Sequence, residues 1–336
     1  MAEAELTYGS YLRLDDLLSC QSPRTGEHDE LLFVVIHQVY ELWFKQILHE
    51  TALLQSRLEA GNGAGALATA QRVAKILKTV VGQLDILETM TPQQFAAFRP
   101  DLGGSSGFQS YQFRYIEAVL GRRGFPRTVM EPELETIVSR RPVFGSLLSF
   151  LRASGFDVPP DVLERDPRLP WEGDDRVQSV LVDVYAGSST PEEVCEALID
   201  IDEGIQEWRY RHVKMVERVI GAKTGTGGST GADYLRSTLF RPFFPDLWAI
   251  RSRLLSPCPV LSLDLDRAFA SATAGSGCRR RGCSATSGAV RTPLWVLCVG
   301  SRVPTAPYVN RIDEARGRIR WRGTLAPLYR PNVPRR

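Results

Sequence analysis

Thr190-Pro191-Glu192-Glu193-Val194-Cys195-Glu196-Ala197-Leu198-Ile199-Asp200-Ile201-Asp202-Glu203-Gly204-Ile205-Gln206-Glu207-Trp208-Arg209-Tyr210-Arg211-His212 opens the segment that decides the fold. A capping residue, a proline and two acids suit the positive end of a helix dipole, so a helix starts here. Leu198, Ile201, Ile205, Trp208 and His212, continued by Met215 or Val216, recur at steps of three and four and carry that helix to about Ile220. His212 is therefore placed on its inward face.

Working outward, His28 to Ala60 reads as one long helix with Phe33, Ile36, Val39, Tyr40, Trp43, Phe44, Ile47 and Leu48 on a wide apolar stripe. After the break at Gly61-Asn62-Gly63, a second long helix follows from Leu67 to Met90 at the same spacing. Thr91-Pro92-Gln93 signals another start, and Gly103-Gly104-Ser105-Ser106-Gly107 a flexible turn before a helix from Gln109 to Leu120. Shorter helices fill 130–153 and 173–186. No stretch alternates apolar and polar residues as a half-buried strand does, and no internal repeat is evident. The fold class that follows is all-α, a helical bundle.

A chain of 336 residues with 43% hydrophobic content is long enough to bury an ordinary core. Its net charge of +2 hides two unlike parts. The 80 residues after Ser256 hold 14 Arg, no Lys and 4 acids, a charge of +10, which leaves −8 on the preceding body. The expected division is a helical domain at 1–255 and an irregular, basic tail at 256–336. Arg-only basicity, scattered Gly and Pro, and the absence of helical period are what a shifted reading frame in GC-rich coding sequence produces; a genuine basic extension is the alternative. Four of the six cysteines lie in the tail, and the four-residue gap between Cys278 and Cys283 does not match a zinc pair. No folded recognition motif surrounds the tail arginines, so no nucleic-acid partner is expected. No run of about 18 uncharged apolar residues and no basic, apolar leader appear, so no membrane partner and a soluble cytoplasmic protein are expected.

All four histidines, His28, His37, His49 and His212, lie in the body. His212 reads either as a hydrogen-bonded core residue or as a neutral imidazole ligating haem iron. His37 shares a face with Phe33 and Glu41, as a core histidine, a partner of Glu41, or a polar contact to substrate or oxygen. Arg99, one turn after Phe95, suits either a surface ion pair or bidentate capture of a carboxylate. The stretch Lys223-Thr224-Gly225-Thr226-Gly227-Gly228-Ser229-Thr230-Gly231 allows close backbone approach to a ligand or simply a loose helix end, and it matches neither nucleotide-binding fingerprint. A further alternative groups His37, Glu41, His49 and Glu50 as part of a non-haem metal site.

Taken in series, several of these segments resemble the tryptophan 2,3-dioxygenase family. They are Leu6-Thr7-Tyr8-Gly9-Ser10-Tyr11-Leu12, His28-Asp29-Glu30 with Phe33-Val34-Val35-Ile36-His37-Gln38, Glu41-Leu42-Trp43, Ser106-Gly107-Phe108-Gln109-Ser110, Trp208-Arg209-Tyr210-Arg211-His212 and Gly225-Thr226-Gly227-Gly228-Ser229. The resemblance spans about residues 5–254 and implies the helical architecture of haem-dependent tryptophan and indoleamine dioxygenases. It implies haem b held axially by His212, and His37 as the distal group that contacts the indole nitrogen, with Phe33 packed on the ring. It further implies Arg99 on the substrate carboxylate, Phe95 as a pocket wall, Thr226 on the amino-acid end and Ser106 as a polar pocket position. Tyr8 and Tyr11 would reach a neighbouring subunit's site in a homotetramer built as a dimer of dimers. L-Tryptophan and O2 are the implied substrates and N-formyl-L-kynurenine the product, as the first step of tryptophan degradation. The alternative is a haem-binding or haem-sensing protein on the same scaffold, inactive because of its altered C-terminus.

Overall fold

The computed structural model describes residues 6–187, 189–221, 223 and 235–254. The chain divides into two units, Met1–Ala270 and Ser271–Arg336, and every described residue belongs to the first. The expected tail at 256–336, and Thr226 with its glycine-rich neighbours, lie outside the described residues.

Among the described residues every regular element is helical. In chain order they are α1 (Tyr8–Leu12), α2 (Leu14–Leu18), α3 (His28–Glu59), α4 (Gly63–Leu87), α5 (Pro92–Phe98), α6 (Tyr111–Leu120), α7 (Pro132–Val138), α8 (Val143–Ala153), α9 (Pro160–Leu163), α10 (Asp175–Tyr185), α11 (Thr190–Ile220), α12 (Pro245–Ala249) and α13 (Arg251–Leu254), with short 3-10 turns between some of them. The expected all-α bundle is thus present.

Boundaries moved where a side chain caps a backbone. The second long helix starts at Gly63, inside the expected break, because the Asn62 side chain accepts a hydrogen bond from Gly65 N–H. The helix expected from Gln109 starts at Tyr111: Ser110 caps it through Phe113 N–H, and Gly107–Gln109 is a separate 3-10 turn. Thr91 and Gln94 form the reciprocal capping box that starts α5, with Pro92 at its first position.

Helix α4 is the shared partner of the two longest helices, packing against α3 on one side and α11 on another, while α8 and α6 also pack on α3. Its Val73, Ile76, Leu77, Val80 and Leu84 are buried, as are Leu198, Ile201 and Ile205 of α11. Gly204 is a point of close approach between α11 and α4, since a Cβ added there would stand 3.1 Å from Leu77 Cβ. Helices α3 and α11 do not pack closely along each other, and side chains from both line the gap between them. That gap is where the site lies.

Two buried carboxylates fasten the end of the described chain to this frame. Asp202 of α11 accepts from Phe243 N–H at 2.9 Å, Phe244 N–H at 3.1 Å and Trp248 Nε1–H at 3.0 Å. Asp246 of α12 accepts from Trp171 Nε1–H at 2.6 Å, Asp174 N–H at 2.9 Å and Gln178 Nε2–H at 3.0 Å. Replacing Asp202 by alanine strands two buried backbone N–H groups, so we expect a loss of about 3 kcal/mol in denaturant unfolding, read as a lower midpoint at unchanged slope. A loss below about 1 kcal/mol would mean that water takes over those donors.

Candidate functional site

Between α3, α11, the end of α4 and the stretch from α5 to α6 lies a cavity of about 360 Å³. Its size falls within the roughly 300–1,000 Å³ typical of ligand pockets. The wall is largely apolar and aromatic, with Phe44, Leu84, Leu87, Phe113, Met215 and Val219 among its residues. Into it come six residues singled out from the sequence: Phe33, His37, Phe95, Arg99, Ser106 and His212.

Helix periodicity explains how they meet. His37 follows Phe33 by one turn on α3, and the two rings lie 4.1 Å apart between centroids. Phe95 and Phe98 of α5 pack against Phe33 at 5.8 and 5.6 Å, and Arg99 stands where α5 passes into a 3-10 turn. Ser106 caps the turn Gly107–Gln109, its hydroxyl accepting from Phe108 N–H at 3.4 Å. Arg114 of α6 holds the other side of that turn by donating to the Phe108 carbonyl.

His37 Nδ1 lies 2.7 Å from the Phe33 carbonyl oxygen. A carbonyl only accepts, so Nδ1 carries the proton and Nε2 is left with its lone pair. Burial lowers the pKa of His37, against the opposing pull of the Phe33 carbonyl and the Glu41 charge, and so favours the neutral ring. Glu41 is not its hydrogen-bond partner: Gln112 Nε2 donates to the Glu41 carboxylate at 2.8 Å.

His212 reaches the cavity from α11, with Trp208 one turn earlier at 5.0 Å between ring centroids. Among the described residues neither of its ring nitrogens has a hydrogen-bond partner. Burial, reinforced by His37, pushes its pKa down to about 4, so the ring is a neutral donor with a free lone pair.

Three buried polar atoms on residues lining the cavity also lack any partner: Tyr40 Oη, Trp208 Nε1 and Arg209 Nε. Buried donors left unpaired are costly, and Trp43 Nε1 and Gln83 Oε1, on residues outside the cavity wall, lack partners too. An apolar, aromatic wall and one neutral imidazole free to ligate together fit a flat prosthetic group such as haem b. The grouping of His37, Glu41, His49 and Glu50 does not form a metal site. His49 is exposed, Glu50 pairs with Arg72 at 3.0 Å, and no cluster of three His, Cys, Asp or Glu side chains suited to a metal exists among the described residues.

Sequence reasoning missed the charged wall beside this cavity. Arg209, three residues before His212, is buried and donates to Glu117 of α6 at 2.7 Å and to the Arg241 carbonyl at 3.2 Å. Arg122 donates to the other Glu117 oxygen at 2.5 Å. The only signal for this in sequence was an arginine on the inward side of an otherwise apolar stripe. Tyr8 and Tyr11 on α1 are 77% and 72% exposed and do not line this chain's cavity.

A sequence model described as tryptophan 2,3-dioxygenase matches residues 1–175 and 168–254. A protein of that name from Anaeromyxobacter sp. (strain K) is 57% identical over 259 residues, which is 75% of this chain and 97% of that protein. One from Herpetosiphon aurantiacus is 51% identical over 257 residues, covering 74% and 98%. A more distant one from Bacillus anthracis is 42% identical over 260 residues, covering 74% and 93%. The family match stops at residue 254, next to the change in composition after Ser256.

Proposed function

The chain belongs to the tryptophan 2,3-dioxygenase family and is an enzyme of that kind, and from this premise we propose that its cavity binds haem b and L-tryptophan and yields N-formyl-L-kynurenine. The observation that carries the reading is the meeting of two neutral, half-buried imidazoles, His37 and His212, in one apolar cavity with Arg99 on its wall. The reaction opens tryptophan degradation by the kynurenine route. It breaks the indole C2–C3 bond and leaves both atoms of dioxygen in the product, so no external reductant is consumed.

In this reading His212 would hold the haem iron, and the bound haem would supply the chemistry that lets dioxygen react with the indole. The remaining work falls to the chain's own side chains. His37 Nε2, its lone pair fixed by the Nδ1–H bond to Phe33, accepts the indole N–H and sets the ring's orientation. Phe33 and Phe95 wall the indole. Arg99 takes the carboxylate in a two-pronged, charge-assisted bond, and Ser106 offers a polar contact. Thr226, outside the described residues, is proposed for the amino-acid end.

The proposed assembly is a homotetramer in the cytoplasm, with Tyr8 and Tyr11 entering a neighbour's cavity. Their exposure in the single chain supports this. The catalytic domain is proposed to end near residue 255, where the family match ends.

Two measurements test the reading. Titrating the purified full chain with haem should saturate at one per chain, and tryptophan-dependent absorbance of N-formylkynurenine should follow on reduction. Haem binding without turnover would leave a haem protein lacking this activity. For His37, replacement by phenylalanine keeps the aromatic wall and removes the acceptor. We expect kcat/KM for L-tryptophan to fall by about tenfold or more. N1-methyltryptophan, which has no N–H to give, should show no such ratio between wild type and variant; an equal loss with both would assign His37 a packing role only.

A further inference from the structure

We propose that Trp208 is a positioning residue that fixes the plane of the His212 imidazole by a tilted ring contact, a role that a hydrogen bond usually fills. The inference rests on the haem reading above. A ligating histidine ordinarily gives its second ring N–H to a carboxylate, carbonyl or water, and that bond sets both tautomer and ring plane. Rotation about the last torsion of histidine is otherwise soft. Among the described residues His212 has no hydrogen-bond partner, and a ring contact is another means of holding its plane.

Trp208 provides one. It lies one helical turn before His212, with ring centroids 5.0 Å apart and 31° between the planes. The indole is itself held from behind: Phe113 of α6 is 4.7 Å away at 40°, and Phe44 and Tyr40 of α3 meet it near-perpendicularly at 6.2 and 6.5 Å. Three rings from two helices therefore pin Trp208, and Trp208 forms a wall for the imidazole. Its buried Nε1–H has no partner, a cost that a phenyl or aliphatic side chain would not incur. What the site gains is a broad, rigid face next to the iron ligand. The plane of an axial imidazole governs how its nitrogen overlaps with iron, so a loosened ring shows in the iron–histidine bond before it shows in haem content.

The test is resonance Raman of the ferrous, haem-loaded full chain, reading the iron–histidine stretch beside haem content. Trp208→Leu should bind haem, yet its band should broaden and move to lower frequency. Trp208→Phe, which retains a flat ring, should keep the wild-type position. A wild-type band in Trp208→Leu, or equal broadening in both variants, overturns the inference. Should Trp208→Leu fail to fold or load, Phe113→Leu decides: it removes the ring 4.7 Å behind Trp208 and leaves the indole in place. Broadening there supports the role, and an unchanged band refutes it. No iron–histidine band in the haem-loaded wild type, or no haem bound at all, overturns the haem reading and this inference with it.

Discussion

Alanine at position 212 should leave a folded protein that no longer holds haem. The expected loss of haem affinity exceeds about 100-fold, the upper range seen when only a supporting partner of a metal ligand is removed. Activity should vanish with it. Because Val213 and Ile205 keep the helix face packed, thermal unfolding of the haem-free protein should stay close to that of haem-free wild type. Added imidazole should enter the space left by the side chain and restore a large part of the Soret absorbance. That rescue distinguishes a lost ligand from a damaged fold. Full haem and iron content in His212→Ala would instead place the iron on another residue.

The second large effect concerns Arg99. A bidentate guanidinium–carboxylate pair contributes two charge-assisted hydrogen bonds, each about 1.5–3 kcal/mol. Arg99→Ala should therefore lower kcat/KM for L-tryptophan by about 10²–10⁴-fold, since each 1.4 kcal/mol is a factor of ten. Tryptamine carries the same indole and amine without the carboxylate, and with it the variant and wild type should differ by less than about threefold. A comparable loss with tryptamine would show that Arg99 shapes the pocket rather than capturing the carboxylate. Haem content, unchanged in this variant, separates the outcome from that at His212.

Much of the fold was legible in the sequence because helices announce their faces. The apolar steps through Leu198, Ile201, Ile205 and Trp208 put His212 inward, and the structure places it in the cavity wall. The same periodicity could not show which faces meet. That α3 and α11 both pack on α4 and leave a gap between them depends on contacts far apart in sequence, and nothing in a local spacing encodes it. Asp202 and Arg209 show the limit most clearly. By residue type each belongs on the surface, yet both are buried, because their partners, Phe243 N–H and Glu117, come from 41 and 92 residues away.

The site residues divide along the same line. Phe33 and His37 share one helix, as do Phe95 and the adjoining Arg99, so their neighbourhood followed from spacing. The tautomer of His37 did not: it required the Phe33 carbonyl at 2.7 Å. Nor did the unpaired Tyr40 Oη and Trp208 Nε1, since an unmade bond is visible only once every neighbour is placed. Helix starts shifted for a similar reason, as at Asn62, whose side chain turns a glycine-rich break into a first turn.

The most direct test of the central claim is a single turnover of the ferrous, haem-loaded full chain with L-tryptophan under ¹⁸O-labelled dioxygen, with the product read by mass spectrometry. The account predicts N-formyl-L-kynurenine carrying both labelled oxygens. A protein that binds haem but leaves tryptophan unchanged, or a product holding one labelled oxygen from dioxygen and one from water at its formation, would contradict it.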